Sequence, residues 1–295
     1  MNPLRCATVV VKSADEAAAG YVERLDFRII ESGPLDHDLA AHWGAPQSAG
    51  RQCVVVRPAS GRPVDLRFIE GDPVPGLRPL RTFGWAALEL CVEDVFATQD
   101  RLIGSAFEII GPPTANPSLP SIHPMQVMGP DGEVLYLTQV LQGGPGSGLP
   151  QAQSPVDVLF IAVLACQDLE TSAHWLSRQL DFPLQDPLEI PYRMLNRAFD
   201  LPPTHRHRIV CATANGHICL ELDQYPPGAT PRPGLPGQLP PGIAIVTLTH
   251  PDLSAIQGPW MTPPMPRQGV VYEGRRAGVL RSPEGTLIEL VESPT

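Results

Sequence analysis

Lysine is almost absent from this chain: Lys12 is the only one in 295 residues, and arginine carries the remaining positive charge. Lys and Arg together number 21 against 31 Asp and Glu, giving a net charge of -10 and a pI near 5.2. A nucleic-acid partner needs a surplus of cations facing the phosphates, so that class of function is excluded. Long apolar runs are lacking as well. Although 43% of residues are hydrophobic, no run approaches the roughly 18 to 20 residues that span a bilayer, which sets membrane partners aside. The amino terminus, Met1-Asn2-Pro3-Leu4-Arg5-Cys6, shows no charged stretch followed by an apolar one, so no secretory leader is expected and the cytoplasm is the expected location. No Cys-x-x-Cys pair occurs among Cys6, Cys53, Cys91, Cys166, Cys211 and Cys219, and most of them sit in strand-like apolar runs. They read as buried free thiols, not as a disulfide framework or a zinc knuckle.

What the chain has in excess is proline, 36 residues, together with 26 glycines. These cluster in three stretches, Glu70 to Pro79, Gln142 to Pro150, and Pro226 to Pro241. The middle stretch, richest in Gly and Ser, is the expected domain boundary. It separates an amino-terminal domain, residues 1–141 (modules 1–70 and 80–141), from a carboxy-terminal domain, residues 154–295 (modules 154–225 and 241–295).

The two halves repeat. Tyr21-Val-Glu-Arg-Leu-Asp-Phe27 is answered by Trp175-Leu-Ser-Arg-Gln-Leu-Asp-Phe182, and Leu39-Ala-Ala-His-Trp-Gly-Ala-Pro46 by Leu195-Asn-Arg-Ala-Phe-Asp-Leu-Pro202. Pro130-Asp-Gly-Glu-Val-Leu-Tyr-Leu137 is answered by Pro283-Glu-Gly-Thr-Leu-Ile-Glu-Leu290. A nearly constant offset across three matches marks an internal duplication. Each half divides again into units that open with an apolar strand, continue into a helix and close with further strands. Ser13-Ala-Asp-Glu16 has capping-box spacing, and Asp168 caps the corresponding helix of the second half.

An early strand, a capped helix ending in Leu-Asp-Phe, and a last strand introduced by Pro-Asp-Gly132 or Pro-Glu-Gly285 resemble the vicinal oxygen chelate superfamily, the glyoxalase, bleomycin-resistance and extradiol-dioxygenase fold. The resemblance covers nearly the whole chain. It implies an α+β fold: four βαβββ modules paired into two glyoxalase-like, half-open barrel domains. It also implies that any metal ligands come from the first and last strands of paired modules. Those positions fall near Cys6, Trp85, Ile161 and Ile243 or Ile245 on first strands, and near Arg67, Tyr136, Glu221 and Glu289 on last strands. No histidine stands among them, so no cofactor is expected; the alternative is a divalent metal held by Glu221, Glu289 and His217.

The two glutamates are the expected catalytic pair. By the pseudo-twofold of the fold they would meet in one carboxy-terminal cup, where mutual repulsion and partial burial would separate their pKa values into an acid and a base. Arg67 and Tyr136 would line the amino-terminal cup, where they could bind a substrate anion. His207 and His217 flank the Asn215-Gly216 turn signal. A two-residue turn would put Val210 opposite Glu221 and Arg208 on the face of Glu221 and Asp223. A turn one residue longer would bring His207 there instead. The expected function is acid/base chemistry, of isomerase or lyase type, on a small apolar or aromatic metabolite. Two alternatives stand beside it: a metal-free binding or resistance protein, and a metal-dependent dioxygenase or glyoxalase. The expected partner is a small molecule, and a homodimer is compatible with the sequence.

Overall fold

The computed structural model describes residues 2–115, 120–144 and 146–294. Module 1 runs β1 (Leu4–Val11), α1 (Ala14–Leu25), β2 (Phe27–Pro34), α2 (His37–His42), β3 (Gln52–Pro58) and β4 (Asp65–Glu70). Module 2 runs β5 (Gly84–Val92), α3 (Val95–Leu102), β6 (Glu108–Gly111), β7 (Ile122–Met128) and β8 (Val134–Val140). Module 3 follows with β9 (Val156–Cys166), α4 (Leu169–Leu180), β10 (Leu188–Pro191), α5 (Arg193–Ala198), β11 (Arg206–Ala214) and β12 (His217–Gln224). Module 4 consists of β13 (Gly242–His250), β14 (Thr262–Pro266), β15 (Arg276–Arg281) and β16 (Leu287–Glu292), its helix reduced to one tight turn at Leu253–Ala255.

The repeated motifs have local causes. Ser13 accepts from the Glu16 amide at 3.3 Å and Asp168 from the Thr171 amide at 3.0 Å, so both long helices start on a side-chain cap. In both copies of Leu-Asp-Phe the aspartate ends the helix in the left-handed region, with φ of 56° at Asp26 and 54° at Asp181. Asp tolerates that conformation better than most side chains. The turn it makes buries Leu25 and Phe27, or Leu180 and Phe182, on either side. Gly132 and Gly285, at φ of 84° and 82°, make the tight entries to β8 and β16.

Eight strands form each of two sheets, but the pairing differs from the expected domains. One sheet has the order β14-β15-β16-β13-β1-β4-β3-β2 and the other β10-β11-β12-β9-β5-β8-β7-β6. Module 1 therefore joins module 4, and module 2 joins module 3; residues 1–141 and 154–295 are not the structural units. The seams are antiparallel, with Ala7 opposite Val246 and Leu88 opposite Ala162. The segments 71–83 and 226–241 cross between sheets, whereas β8 and β9 lie in the same one. Arg232, on the second crossing, donates to the Ile243 carbonyl at 2.6 Å and to the Trp85 carbonyl, tying both sheets together.

One large core lies between the sheets. It combines Ala7, Val9, Val246 and Leu248 of one with Leu88, Leu90, Leu159 and Ala162 of the other, plus the apolar stripes of α1 and α4. Across the opposite faces run smaller cores that include residues of α2 or α5: Trp43 with Ile69 and Ile245 in one sheet, Met194 with Ala87 and Val163 in the other. These two opposite faces are the cups. All six cysteines are free, four of them buried and Cys53 and Cys211 half-buried.

Candidate functional site

Strand register fixes which residues occupy the ligand positions that the resemblance implied. Last-strand residues stand opposite first-strand ones as Arg67 with Thr8, Tyr136 with Glu89, Glu221 with Val163, and Glu289 with Thr247. The last-strand residues are those expected, but the first-strand positions lie two to four residues beyond Cys6, Trp85, Ile161 and Ile243 or Ile245. The cup of modules 1 and 4 thus carries Thr8, Arg67, Thr247 and Glu289. The cup of modules 2 and 3 carries Glu89, Tyr136, Val163 and Glu221.

In the first cup Glu289 is fully buried and fully engaged. Its Oε1 accepts from Trp43 Nε1 at 2.8 Å, its Oε2 from Thr247 Oγ1 at 2.7 Å, and the Tyr272 hydroxyl lies 3.1 Å from both oxygens. His42, at the end of α2, stands 3.8 Å away, and neither ring nitrogen has a hydrogen-bond partner. Burial, then the nearby Arg267 charge, lowers its pKa to about 4 and keeps it neutral. Arg67, only 2% exposed, donates through Nη1 to the Tyr272 hydroxyl at 3.2 Å and lies 5.0 Å from the Trp43 ring and 5.3 Å from the Tyr272 ring. Nearby, Asp65 is shared by Arg5 at 2.7 Å and Arg57 at 2.7 and 3.0 Å. A cavity of about 510 Å³ opens on this cup, lined by Leu39, Cys53, Arg67, Arg267, Val271 and Tyr272 among others.

The second cup is acidic and plugged. Glu221 accepts from the Tyr192 hydroxyl at 2.7 Å, and Glu89 from the Thr138 hydroxyl at 2.6 Å. Asp223 lies two residues along β12 from Glu221, on the same face of the strand, and its Oδ1 is buried with no hydrogen-bond partner. Burial, then Glu221's charge, raises Asp223 well above the carboxylate range, and the same causes raise Glu89 to about 8. Glu221 is raised by burial, against the stabilising bond from Tyr192. Tyr192, Met194 and Asn196 reach in from α5 and its entrance. Asn196 donates to the Pro203 and His205 carbonyls, so its Oδ1 accepts from His207 Nε2 at 2.6 Å and fixes that tautomer. Burial first and His205 second lower His207 to about 4. A cavity of about 600 Å³ near the start of β11 is lined by His205, His207, Gln224 and Tyr225 among others, but by none of the three carboxyls.

The expected meeting of Glu221 and Glu289 does not occur, because they belong to different sheets. Arg67 and Tyr136 are likewise separated, each sharing a cup with one of the glutamates. The Asn215-Gly216 turn forms as read, with Ala214 opposite His217, but a bulge at Cys219 shifts the ladder so that Cys211 faces Glu221. His207 therefore shares the concave face, while Arg208 points to the helix side and pairs with Glu170 of α4. His217 sits at the far end of β12, outside the carboxyl cluster, its pKa lowered by partial burial and the amino terminus. Glu89 was not among the expected site residues. Its signal was present: it is the only charged side chain in the apolar strand Gly84–Val92.

The donors do not suit a chelated metal. Neither set of four positions includes an imidazole, a guanidinium stands at one position of the first cup, and Val163 takes one in the second. The oxygens of Glu289 are already taken by neutral donors. Among the described residues no three His, Cys, Asp or Glu side chains form a metal-holding group. The possible set Glu221, Glu289 and His217 is split between sheets.

No protein-family model matches the chain, and no curated protein matches it. Solved structures do. Glyoxalase I from Zea mays aligns with a TM-score of 0.62 at 16% identity, over 98% of this chain and 92% of its own. A putative dioxygenase from Bacillus subtilis aligns with a TM-score of 0.66 at 14% identity, over 100% of this chain and 86% of its own. The fold is that of the vicinal oxygen chelate superfamily. All four modules take part, since the likeness runs the length of the chain. No described helix is long and apolar enough to cross a membrane.

Proposed function

We propose that this chain is a metal-independent small-molecule-binding protein of the vicinal oxygen chelate fold, with its site in the cup of modules 1 and 4. One observation carries the reading. Arg67, at a position where the fold's chelating members place a ligand, lines a cavity of about 510 Å³, a volume usual for small-molecule sites. Binding is favoured over acid/base turnover because none of the buried carboxyl groups of the two cups lines either large cavity. Glu289 is saturated by Trp43, Thr247 and Tyr272, and Glu89, Glu221 and Asp223 lie beneath α5, away from either large cavity.

Thermal shift against a panel of small aromatic and aliphatic metabolites, with and without a chelator, tests this directly. Stabilisation by some members should survive the chelator and vanish in Cys53→Phe, which fills the cavity from β3. Stabilisation that needs added metal, or that Cys53→Phe leaves intact, would overturn it.

A further inference from the structure

Resting on that reading of the cup, we infer that its ligand is a compact organic monoanion, a carboxylate on an apolar body, held by the free N–H groups of Arg67. A guanidinium presents five N–H donors, yet the only hydrogen bond the Arg67 side chain makes among the described residues is through Nη1 to Tyr272. No carboxylate lies within ion-pair distance of it among the described residues, although it is 2% exposed. Such a charge is rarely left buried without an acceptor. Trp43 and Tyr272 hold the group between their rings, so it cannot swing out to water.

Two further donors nearby lack acceptors: Arg267 Nε on the cavity wall, and the imidazole of His42 beside Glu289. Asp65 is paired with Arg5 and Arg57, so it leaves Arg67 without an ion partner. At the mouth stand Glu31, Asp36 and Asp38, which disfavour a multiply charged guest. Leu39, Val271, Pro34 and Pro266 supply an apolar wall for the rest of the molecule.

Isothermal titration of the full chain with benzoate and with benzamide, its uncharged counterpart, tests the inference. Benzoate should bind at least roughly tenfold more tightly, as expected for charge-assisted bonds in a buried site. Arg67→Met should reduce benzoate to the affinity of benzamide, and Arg67→Lys should keep part of the preference. If Arg67→Met does not fold, the comparison on the unsubstituted protein and on Arg67→Lys decides. Equal binding of both probes, lost in Cys53→Phe, would overturn the anion while leaving the cup as the site. Binding of neither probe, or benzoate binding unchanged in Cys53→Phe, would overturn the cup and the inference together.

Discussion

Replacing Glu89 by Gln should make this protein more stable, and increasingly so as pH rises. Glu89 is buried next to Glu221, and its carboxyl is raised from 4.5 to about 8. In the unfolded chain the same group ionises in water near its ordinary value. The folded form therefore holds the proton longer, so the group's contribution is fully present below about 4.5 and is lost as pH rises towards 8. Each pH unit between those values shifts the balance by about 1.4 kcal/mol. Glutamine resembles the protonated acid and keeps the acceptor for the Thr138 hydroxyl, bonded at 2.6 Å, while never ionising. The advantage of Glu89→Gln should grow by about 2 kcal/mol between pH 6 and 8, and level off above that. Urea unfolding of both proteins across this range measures it. An advantage that is absent, or that shrinks with rising pH, would refute the placement of Glu89 beside other buried acids.

Other perturbations have equally definite outcomes. Trp43→Phe removes one donor from the buried Glu289 carboxylate, bonded at 2.8 Å, and should cost about 1.5–3 kcal/mol in a denaturant titration. Both His42 and His207 are lowered to about 4, so NMR should find their rings neutral down to pH 5. Since their folded pKa values are depressed, the stability they contribute is lost as pH falls from the ordinary value through 4. At the left-handed end of α4, φ 54°, Asp181→Val should cost about 1–2 kcal/mol while Asp181→Gly stays within about 0.5 kcal/mol, by thermal unfolding.

Much of the architecture was legible because it rests on local chemistry. Helix caps at Ser13 and Asp168, the left-handed Asp of each Leu-Asp-Phe, and the Asn215-Gly216 turn all declare themselves in short stretches. Module pairing did not, and the reason lies in the seam strands. β1, β5 and β9 are buried along their whole length and β13 nearly so. None shows the alternation that would tell which edge it meets. Glu221, Glu289, Arg67 and Tyr136 were found as inward-facing residues of last strands, but their grouping depended on that pairing and changed with it. The bulge at Cys219 has no marker in sequence, and it decided whether Arg208 or His207 would share a face with Glu221. The cavity beside Arg67 depends on how α2 and the loop carrying Tyr272 close over the sheet, which no strand pattern reveals.

The most direct measurement is a crystal structure of the full chain soaked with 4-bromobenzoate, with the bromine located by its anomalous signal. The expected result is bromine in the cavity near Leu39 and Val271, with the carboxylate against Arg67. Bromine in the cup of Glu89 and Glu221 instead, or a metal ion bound at those glutamates, would contradict the assignment of the site.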